Sequence, residues 1–90
     1  MRLLWSAMAL QDRLHIMDYI AEGNPAAAQA LDEAFRDKAR RAARYPRLYK
    51  SGRYPDTREI AVGANYVIVY RVMDDAIKVL RILHARQQWP

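Results

Sequence analysis

No cysteine occurs among the 90 residues, and only two histidines do, His15 and His84. The lack of cysteine excludes disulfide bonds, thiolate catalysis and every zinc site built on cysteine. Because the two histidines lie far apart along the chain, a metal site built on histidine is not expected either. We therefore predict a protein that holds no metal and needs no cofactor.

Long apolar runs are also absent. The longest extend over only a few residues, as at 66–70, whereas a membrane-spanning helix needs roughly 20. The charged residues Asp12 and Arg13 lie so close to the N-terminus that the stretch before them is too short for the apolar core of a secretory signal. These absences predict a cytoplasmic protein that makes no use of the membrane.

The composition that remains is that of a folded protein. Apolar residues make up 52% of the chain and charged residues 28%, which is enough to bury a core and stay soluble. A mass of 10.5 kDa leaves room for one core only. We expect one domain that extends over residues 1–90.

The net charge of +5 comes from one block of the sequence. Residues 34–54 carry eight Lys or Arg against Asp37 alone, whereas residues 1–33 carry a net −3. Such a block is typical of proteins that meet an acidic partner, so one function to consider is a nucleic-acid-binding module that uses residues 36–53. A solvated helix end accounts for it equally, because the helix dipole favours cations at the C-terminus.

The first half of the chain has the periodicity of two helices. A short strand at residues 3–5 precedes Ser6, a good N-cap, and the apolar positions that follow predict an amphipathic helix with one stripe at Leu10, Leu14, Met17 and Ala21. Asn24 and Pro25 then start a second helix at once. Its largest apolar side chain is Phe35, which we expect to be buried. The connection is so short that the helices should form an antiparallel hairpin.

The second half has the texture of strands. Residues 57–62, 66–73 and 76–84 are rich in β-branched and aromatic side chains, with short turns between them. The order β-α-α-β-β-β predicts an α+β fold in which the helical hairpin packs on one face of a small, mainly antiparallel sheet. Alternation places Ile77, Val79, Arg81 and Leu83 on one face of the last strand. Since both sheet faces are largely apolar, we expect the second face, edged by Arg71, to be exposed for a partner.

Three segments together resemble a known family. They read GRYPDTRE at 52–59, YVIVYRV at 66–72 and VLRILHAR at 79–86. With the predicted element order, they make the chain similar to the RelE/ParE superfamily of small bacterial toxins, the plasmid-stabilisation type in particular, over essentially its whole length. The resemblance implies the growth-inhibiting toxin of a type II toxin-antitoxin pair, neutralised by a cognate antitoxin that wraps around it.

The superfamily contains two branches, and the resemblance bears on both. Members similar to RelE are ribosome-dependent messenger-RNA endonucleases that need no metal. Arg58 and Arg86 match basic positions of that branch, and His84 could move a proton as its general acid or base. The middle-strand arginine of RelE is replaced here by Val67, however, and the C-terminal tyrosine has no counterpart.

The ending Leu-His-x-Arg at residues 83–86 is shared with members similar to ParE, some of which act on DNA gyrase. We therefore favour the ParE-like branch, with the RelE-like endoribonuclease as the alternative, so that the sequence leaves open whether the chain is an enzyme. The structural alternative for His84 is a hydrogen bond that closes the strand end. His15 is assigned no role.

Four residues are predicted to bind a target or partner: Arg71, Arg81, Arg86 and Trp89. Arginine can grip phosphate or carboxylate in bidentate fashion, and tryptophan often anchors interfaces. The alternative for Arg81 and Arg86 is an ion pair inside the fold with Asp74, Asp75 or Glu59. Three tyrosines interleaved with basic residues could stack nucleic-acid bases or pack over the sheet edge: Tyr45, Tyr49 and Tyr54.

Overall fold

The computed structural model describes all residues, 1–90, and has the predicted order of elements. They are β1 (Arg2–Trp5), α1 (Ala7–Gly23), α2 (Pro25–Arg44), β2 (Arg58–Val62), β3 (Tyr66–Val72) and β4 (Ala76–His84). The two helices pack on a four-stranded sheet, which confirms the predicted α+β class. Neither helix is long and apolar enough to cross a membrane.

The helices begin and end where their capping residues predict. The Ser6 hydroxyl accepts a hydrogen bond from the Ala9 N–H at 3.0 Å. Asn24 serves both helices: its N–H donates to the Ile20 carbonyl at the end of α1, and its side-chain oxygen accepts from the Ala27 N–H at the start of α2. One residue therefore makes the hairpin turn, because it satisfies free backbone groups of two helix ends at once.

The sheet has the order β1-β4-β3-β2. Strands β2, β3 and β4 form an antiparallel meander, and β1 adds to the outer side of β4 in parallel. The pairing of β1 ends where Trp5 lies opposite Val79. Beyond that point the edge of β4 has no strand beside it, and α1 takes the place of one.

A β-bulge in β4 changes which side chains face the core. Val69 lies opposite Arg81 and Tyr70 lies opposite Val79, so Leu80 is the extra residue. The predicted alternation along the last strand is therefore wrong beyond Val79, because an inserted residue shifts every later side chain by one. Ile82 joins the helix-covered core, with 2% of its surface exposed.

The first half of helix α1 faces the core with a different side from the one predicted. Leu10 and Leu14 were expected to face the sheet, but they are 51% and 59% exposed. The inward positions are Ala9, which is fully buried, and Ile16, which packs against the core. Met17 of the predicted stripe also packs against the core, so the prediction is wrong only for Leu10 and Leu14 in the first half of α1. The physical cause is the attachment of α1 to the edge of β4.

Phe35 is the aromatic centre of the core between α2 and the sheet, as predicted. Its side chain is fully buried and its ring meets the Tyr66 ring edge-on, with centroids 5.8 Å apart. Ala39 and Ala42 on the same face of α2 are also fully buried, which brings the helix close to the strands.

We expect Phe35→Ala to lower the free energy of unfolding by about 3–5 kcal/mol, because it leaves a cavity where a buried ring was. Tyr19→Ala is the matched control: it also removes an aromatic ring, but from a side chain that is 75% exposed, and it should change stability by less than about 0.5 kcal/mol. Equilibrium unfolding in urea measures both. A loss below about 1 kcal/mol for Phe35→Ala would contradict this description of the core.

Candidate functional site

The C-terminal tail, residues 85–90, is held against the loop of residues 51–57 by Arg53. The guanidinium of Arg53 donates to both carboxylate oxygens of Glu59, at 3.0 and 3.2 Å, and the Arg53 N–H donates to the same carboxylate at 2.8 Å. A further guanidinium N–H donates to the Gln87 carbonyl at 3.0 Å. The Tyr54 and Trp89 rings meet at 5.4 Å between centroids. Loop and tail therefore form one surface.

Gly52 is what lets this loop lie so close to β2. A Cβ at this position would overlap the Thr57 hydroxyl and press on the Glu59 side chain. Only glycine allows such a close approach of backbone to side chain. The Gly52 N–H donates to the Thr57 carbonyl at 2.7 Å, and the Thr57 hydroxyl donates to the Tyr54 carbonyl at 2.6 Å.

The second sheet face is less exposed than the sequence predicts. Val69 and Leu83 alternate with the residues that face the helices, yet neither has any exposed surface. The Glu59 side chain lies on the same face, so the Arg53 contacts bring the loop and the tail across it. The expectation of an open second apolar face was wrong here, because periodicity within strands does not show what a following loop or tail covers.

His84 lies at the end of β4, exposed to solvent. Its ring Nδ1 accepts a hydrogen bond from the Arg86 backbone N–H at 3.2 Å, and the His84 backbone N–H donates to the Gln87 side-chain oxygen at 3.3 Å. Its ring meets the Tyr66 ring edge-on at 5.7 Å. These contacts close the strand end, which is the structural role that the sequence offered as the alternative.

His84 also lines a groove between α1 and the sheet. The groove has a volume of about 290 Å³, and its α1 wall presents Asp12, His15 and Tyr19. His15 was assigned no role, but the structure brings it to the same groove as His84. The spacing of three and four residues along α1 places this wall on one helical face, and that spacing was the available signal. No three His, Cys, Asp or Glu side chains lie close enough together to hold a metal ion.

Arg81, predicted to bind a partner, is engaged inside the fold. Its guanidinium donates to both carboxylate oxygens of Asp12, at 2.7 and 3.0 Å, and the two side chains are only 18% and 16% exposed. The Ile82 N–H donates to the same carboxylate at 3.0 Å. The pairing alternative thus holds for Arg81, although its partner is Asp12 and none of the carboxylates named from the sequence.

Arg58 and His84 are not brought together. Arg58 lies opposite Tyr70 and His84 lies opposite Tyr66, four residues apart along β3, which corresponds to about 13 Å along the strand direction. The Arg58 guanidinium also donates to the Tyr49 carbonyl at 2.6 Å. It lines a separate cleft with Arg71, another predicted binding residue. Of the predicted residues, the structure groups His84, Arg86 and Trp89 at one end of the sheet.

Comparison with known proteins decides the family. The family model for the ParE toxin of type II toxin-antitoxin systems, parDE, matches residues 3–89. The chain belongs to the ParE toxin family. It is therefore a growth-inhibiting toxin of a type II toxin-antitoxin system, and such a toxin implies a cognate antitoxin.

Two relatives resemble this ParE-family toxin over nearly their whole length. The putative toxin Y4kP of Sinorhizobium fredii is 33% identical over 90 residues, covering 99% of this chain and 93% of the relative. Toxin RelE2 of Caulobacter vibrioides is 36% identical over 86 residues, covering 93% and 94%. The RelE/ParE resemblance read from the sequence is confirmed.

Solved structures show the same fold. The chromosomal ParDE system from P. aeruginosa contains a chain with a TM-score of 0.82 at 19% identity, covering 93% of this chain and 95% of that one. The YoeB/ParE toxin from Agrobacterium tumefaciens gives a TM-score of 0.68 at 18% identity, covering 93% and 98%.

The tyrosines of the ParE-family toxin mostly pack instead of standing free. The Tyr49 ring meets the Tyr70 ring edge-on at 6.4 Å, and Tyr54 lies against Trp89. Tyr45 is half exposed at the end of α2, with the Arg41 guanidinium 5.6 Å from its ring centroid. This favours packing at the sheet edge over a continuous base-stacking surface.

Burial destabilises the ionised form of the Glu59 carboxyl, and Arg53 stabilises it. Only 7% of the residue is exposed, and this desolvation by itself raises the pKa of the carboxyl. The hydrogen bonds and charge of Arg53, with the charge of Lys50, outweigh it, so that the pKa of Glu59 lies below its ordinary value of 4.5. A carboxyl with a lowered pKa stabilises the fold above its ordinary pKa, and that stabilisation is lost as the pH falls through the lowered value.

Acidification below pH 4.5 should therefore release the tail, as Glu59 takes up a proton and loses its hold on Arg53. Glu59→Gln should release the tail already at neutral pH and remove this acid dependence. The NMR signal of the Trp89 indole N–H, resolved from that of Trp5, reports both. Asp75→Asn is the control, since its ion pair with Arg2 is exposed. A Trp89 signal that titrates identically in Glu59→Gln would rule out this role for Glu59.

Proposed function

We propose that this toxin acts in the manner of the ParE-like branch, in the cytoplasm, by binding a cellular machine such as DNA gyrase and not by cutting messenger RNA on the ribosome. The observation that carries the proposal is that two arginines near the C-terminal end of β4 and the tail are already paired with carboxylates. Arg53 and Arg81 are both neutralised by carboxylates of the fold, Glu59 and Asp12.

A metal-independent endoribonuclease needs cations free to hold phosphate and to stabilise the charge that develops during cleavage. Near His84, the arginine without a carboxylate partner is Arg86. Arg58, which the resemblance offers as the second cation of a nuclease, lies about 13 Å away from His84 along the strand direction. The surroundings of His84 thus support binding better than phosphodiester chemistry.

The RelE-like endoribonuclease stays the alternative, and one observation favours it. His84 is exposed in a groove, where a substrate could reach its imidazole. In that alternative His84, Arg86 and Arg58 would be catalytic. The ribosome-bound messenger RNA would then have to contact Arg58 as well as His84.

Two surfaces are available to partners under this proposal. The tail offers Arg86 and Trp89, which line the same shallow depression; these residues we assign to the target. Helix α1 offers Leu10 and Leu14, both more than half exposed. Exposed neighbouring leucines mark an interaction surface, and we assign them to the antitoxin.

His84→Gln separates the two functions. A glutamine oxygen can accept the hydrogen bond from the Arg86 N–H in place of Nδ1, but it cannot relay a proton near neutral pH. Under our proposal the variant remains toxic when induced in bacteria and is still neutralised by its antitoxin. Loss of a general acid or base would lower the cleavage rate by about 10²–10⁴ and abolish killing.

His15→Gln is the matched control, since it makes the same chemical change on the opposite wall of the groove. Induction of each soluble variant, with colony counts and messenger-RNA integrity as readouts, gives the comparison. A folded His84→Gln that binds antitoxin and is harmless, while His15→Gln and wild type kill and leave cleaved messages, would refute the proposal.

A further inference from the structure

A cleft of about 720 Å³ lies at the end of the sheet remote from His84, between the loop of residues 51–57 and the ends of β2 and β3. Arg47, Arg58 and Arg71 line it, and Asp56 supplies its only carboxylate. The chain forms five ion pairs, and none of them includes these three arginines. The cleft is therefore a concentration of uncompensated positive charge.

Arg71 gives the cleft a donor without a partner. Its Nε is buried and forms no hydrogen bond, and it is the one buried side-chain nitrogen or oxygen in the chain of which this is true. Buried polar groups are normally paired, so a buried unpaired donor on a charged side chain calls for an acceptor. Nε lies on the edge of the guanidinium that matches two oxygens of a carboxylate or phosphate.

The charge of the lining selects between those two anions. Three arginines against Asp56 leave a net charge of about +2 in the cleft. A single carboxylate neutralises half of it, whereas a phosphate monoester carries close to −2 at neutral pH. Two further lining groups suit a nucleotide: the Ser51 hydroxyl can donate to a phosphate oxygen, and the Tyr54 ring, 40% exposed, can contact a base.

We propose that this cleft binds the phosphate monoester of a nucleotide, with Arg71 as the central ligand and Arg47 and Arg58 as its flanking cations. The phosphate belongs either to a free nucleoside monophosphate or to the phosphorylated 5′ end of a nucleic-acid strand. The cleft lies at the opposite end of the sheet from His84, although Tyr54 in its lining also contacts Trp89 of the tail. The proposed binding of phosphate does not depend on the identity of the toxin's target.

The test is a titration of the full-length chain followed by NMR at fixed salt and pH 7.5. The probes are adenosine 5′-monophosphate, its 5′-methyl phosphodiester, adenosine, and a tetranucleotide with and without a 5′-phosphate. We expect the two monoesters to shift amide signals of residues 51–58 and 71–72 and to bind more tightly than the diester, while adenosine leaves them unchanged. The tighter of the two monoesters identifies the source.

Arg71→Met should weaken binding of adenosine 5′-monophosphate by about tenfold or more, because it removes a charge-assisted bidentate contact. Arg47→Met provides a second variant whose exposed side chain can be lost without risk to folding. The matched control is Arg40→Met, which removes the same charge from an exposed position outside the cleft and should change affinity less than twofold.

If Arg40→Met weakened the binding of adenosine 5′-monophosphate as much as the cleft variants do, the binding would be general electrostatic attraction, and the proposal would be overturned. The proposal would also be overturned by a diester that binds as tightly as the monoester, or by a monoester that leaves the amide signals of residues 51–58 unchanged.

Discussion

The rest of the toxin's architecture depends on one constraint: the backbone groups of β4 beyond its last pairing with β1 need hydrogen-bond partners. β1 ends opposite Val79, and buried backbone groups that lose a strand partner must find another. Ser6 and Asp12 supply it: the Ser6 N–H donates to the Val79 carbonyl, the Ser6 hydroxyl donates to the Leu80 carbonyl at 2.8 Å, and the Asp12 carboxylate accepts from the Ile82 N–H. The first helix therefore acts as the missing strand.

This attachment determines what the two ends of the molecule can do. It fixes the rotation of α1, so that Ala9 faces the core and Leu10 and Leu14 face solvent, where a partner can reach them. It places Arg81 against Asp12, which removes one cation from the surroundings of His84. Glu59 is likewise a buried carboxylate paired with an arginine. It neutralises Arg53, which in turn holds the tail. Both ion pairs lower the positive charge available for phosphate at the C-terminal end of the sheet.

Much of the fold could be predicted from the sequence because its signals are local. Ser6 and Asn24 mark helix starts through side-chain hydrogen bonds to N–H groups three residues further on, and Pro25 fits the first turn of α2 through its fixed φ. Phe35 belongs to a stripe that is apolar on one face only. The order of strands followed from short turns between β-rich runs. The family resemblance also depended on short segments of adjacent residues, and the family comparison confirmed it.

The missed features depend on partners that are distant in sequence. Helix α1 has apolar residues on two faces, so its period fixes the spacing of the inward residues but not which set faces inward. Asp12 and Ile82 are 70 residues apart, and no local pattern shows that a carboxylate will replace a strand there. The bulge at Leu80 has no signature in composition, since a strand of apolar residues reads the same with one residue inserted. The Arg71 cleft likewise forms only when the loop folds back on β2.

We propose that the toxin kills by binding and not by cutting messenger RNA. The most direct test is to record whether DNA synthesis or protein synthesis stops first after induction. Wild-type toxin is induced in a growing culture, and incorporation of labelled thymidine and labelled methionine is followed minute by minute, with the 5′ ends of messenger RNA mapped in the same samples. We expect DNA synthesis to fall before protein synthesis and the messages to stay intact. Protein synthesis that stops first, with new message ends at ribosome-occupied positions, would contradict it.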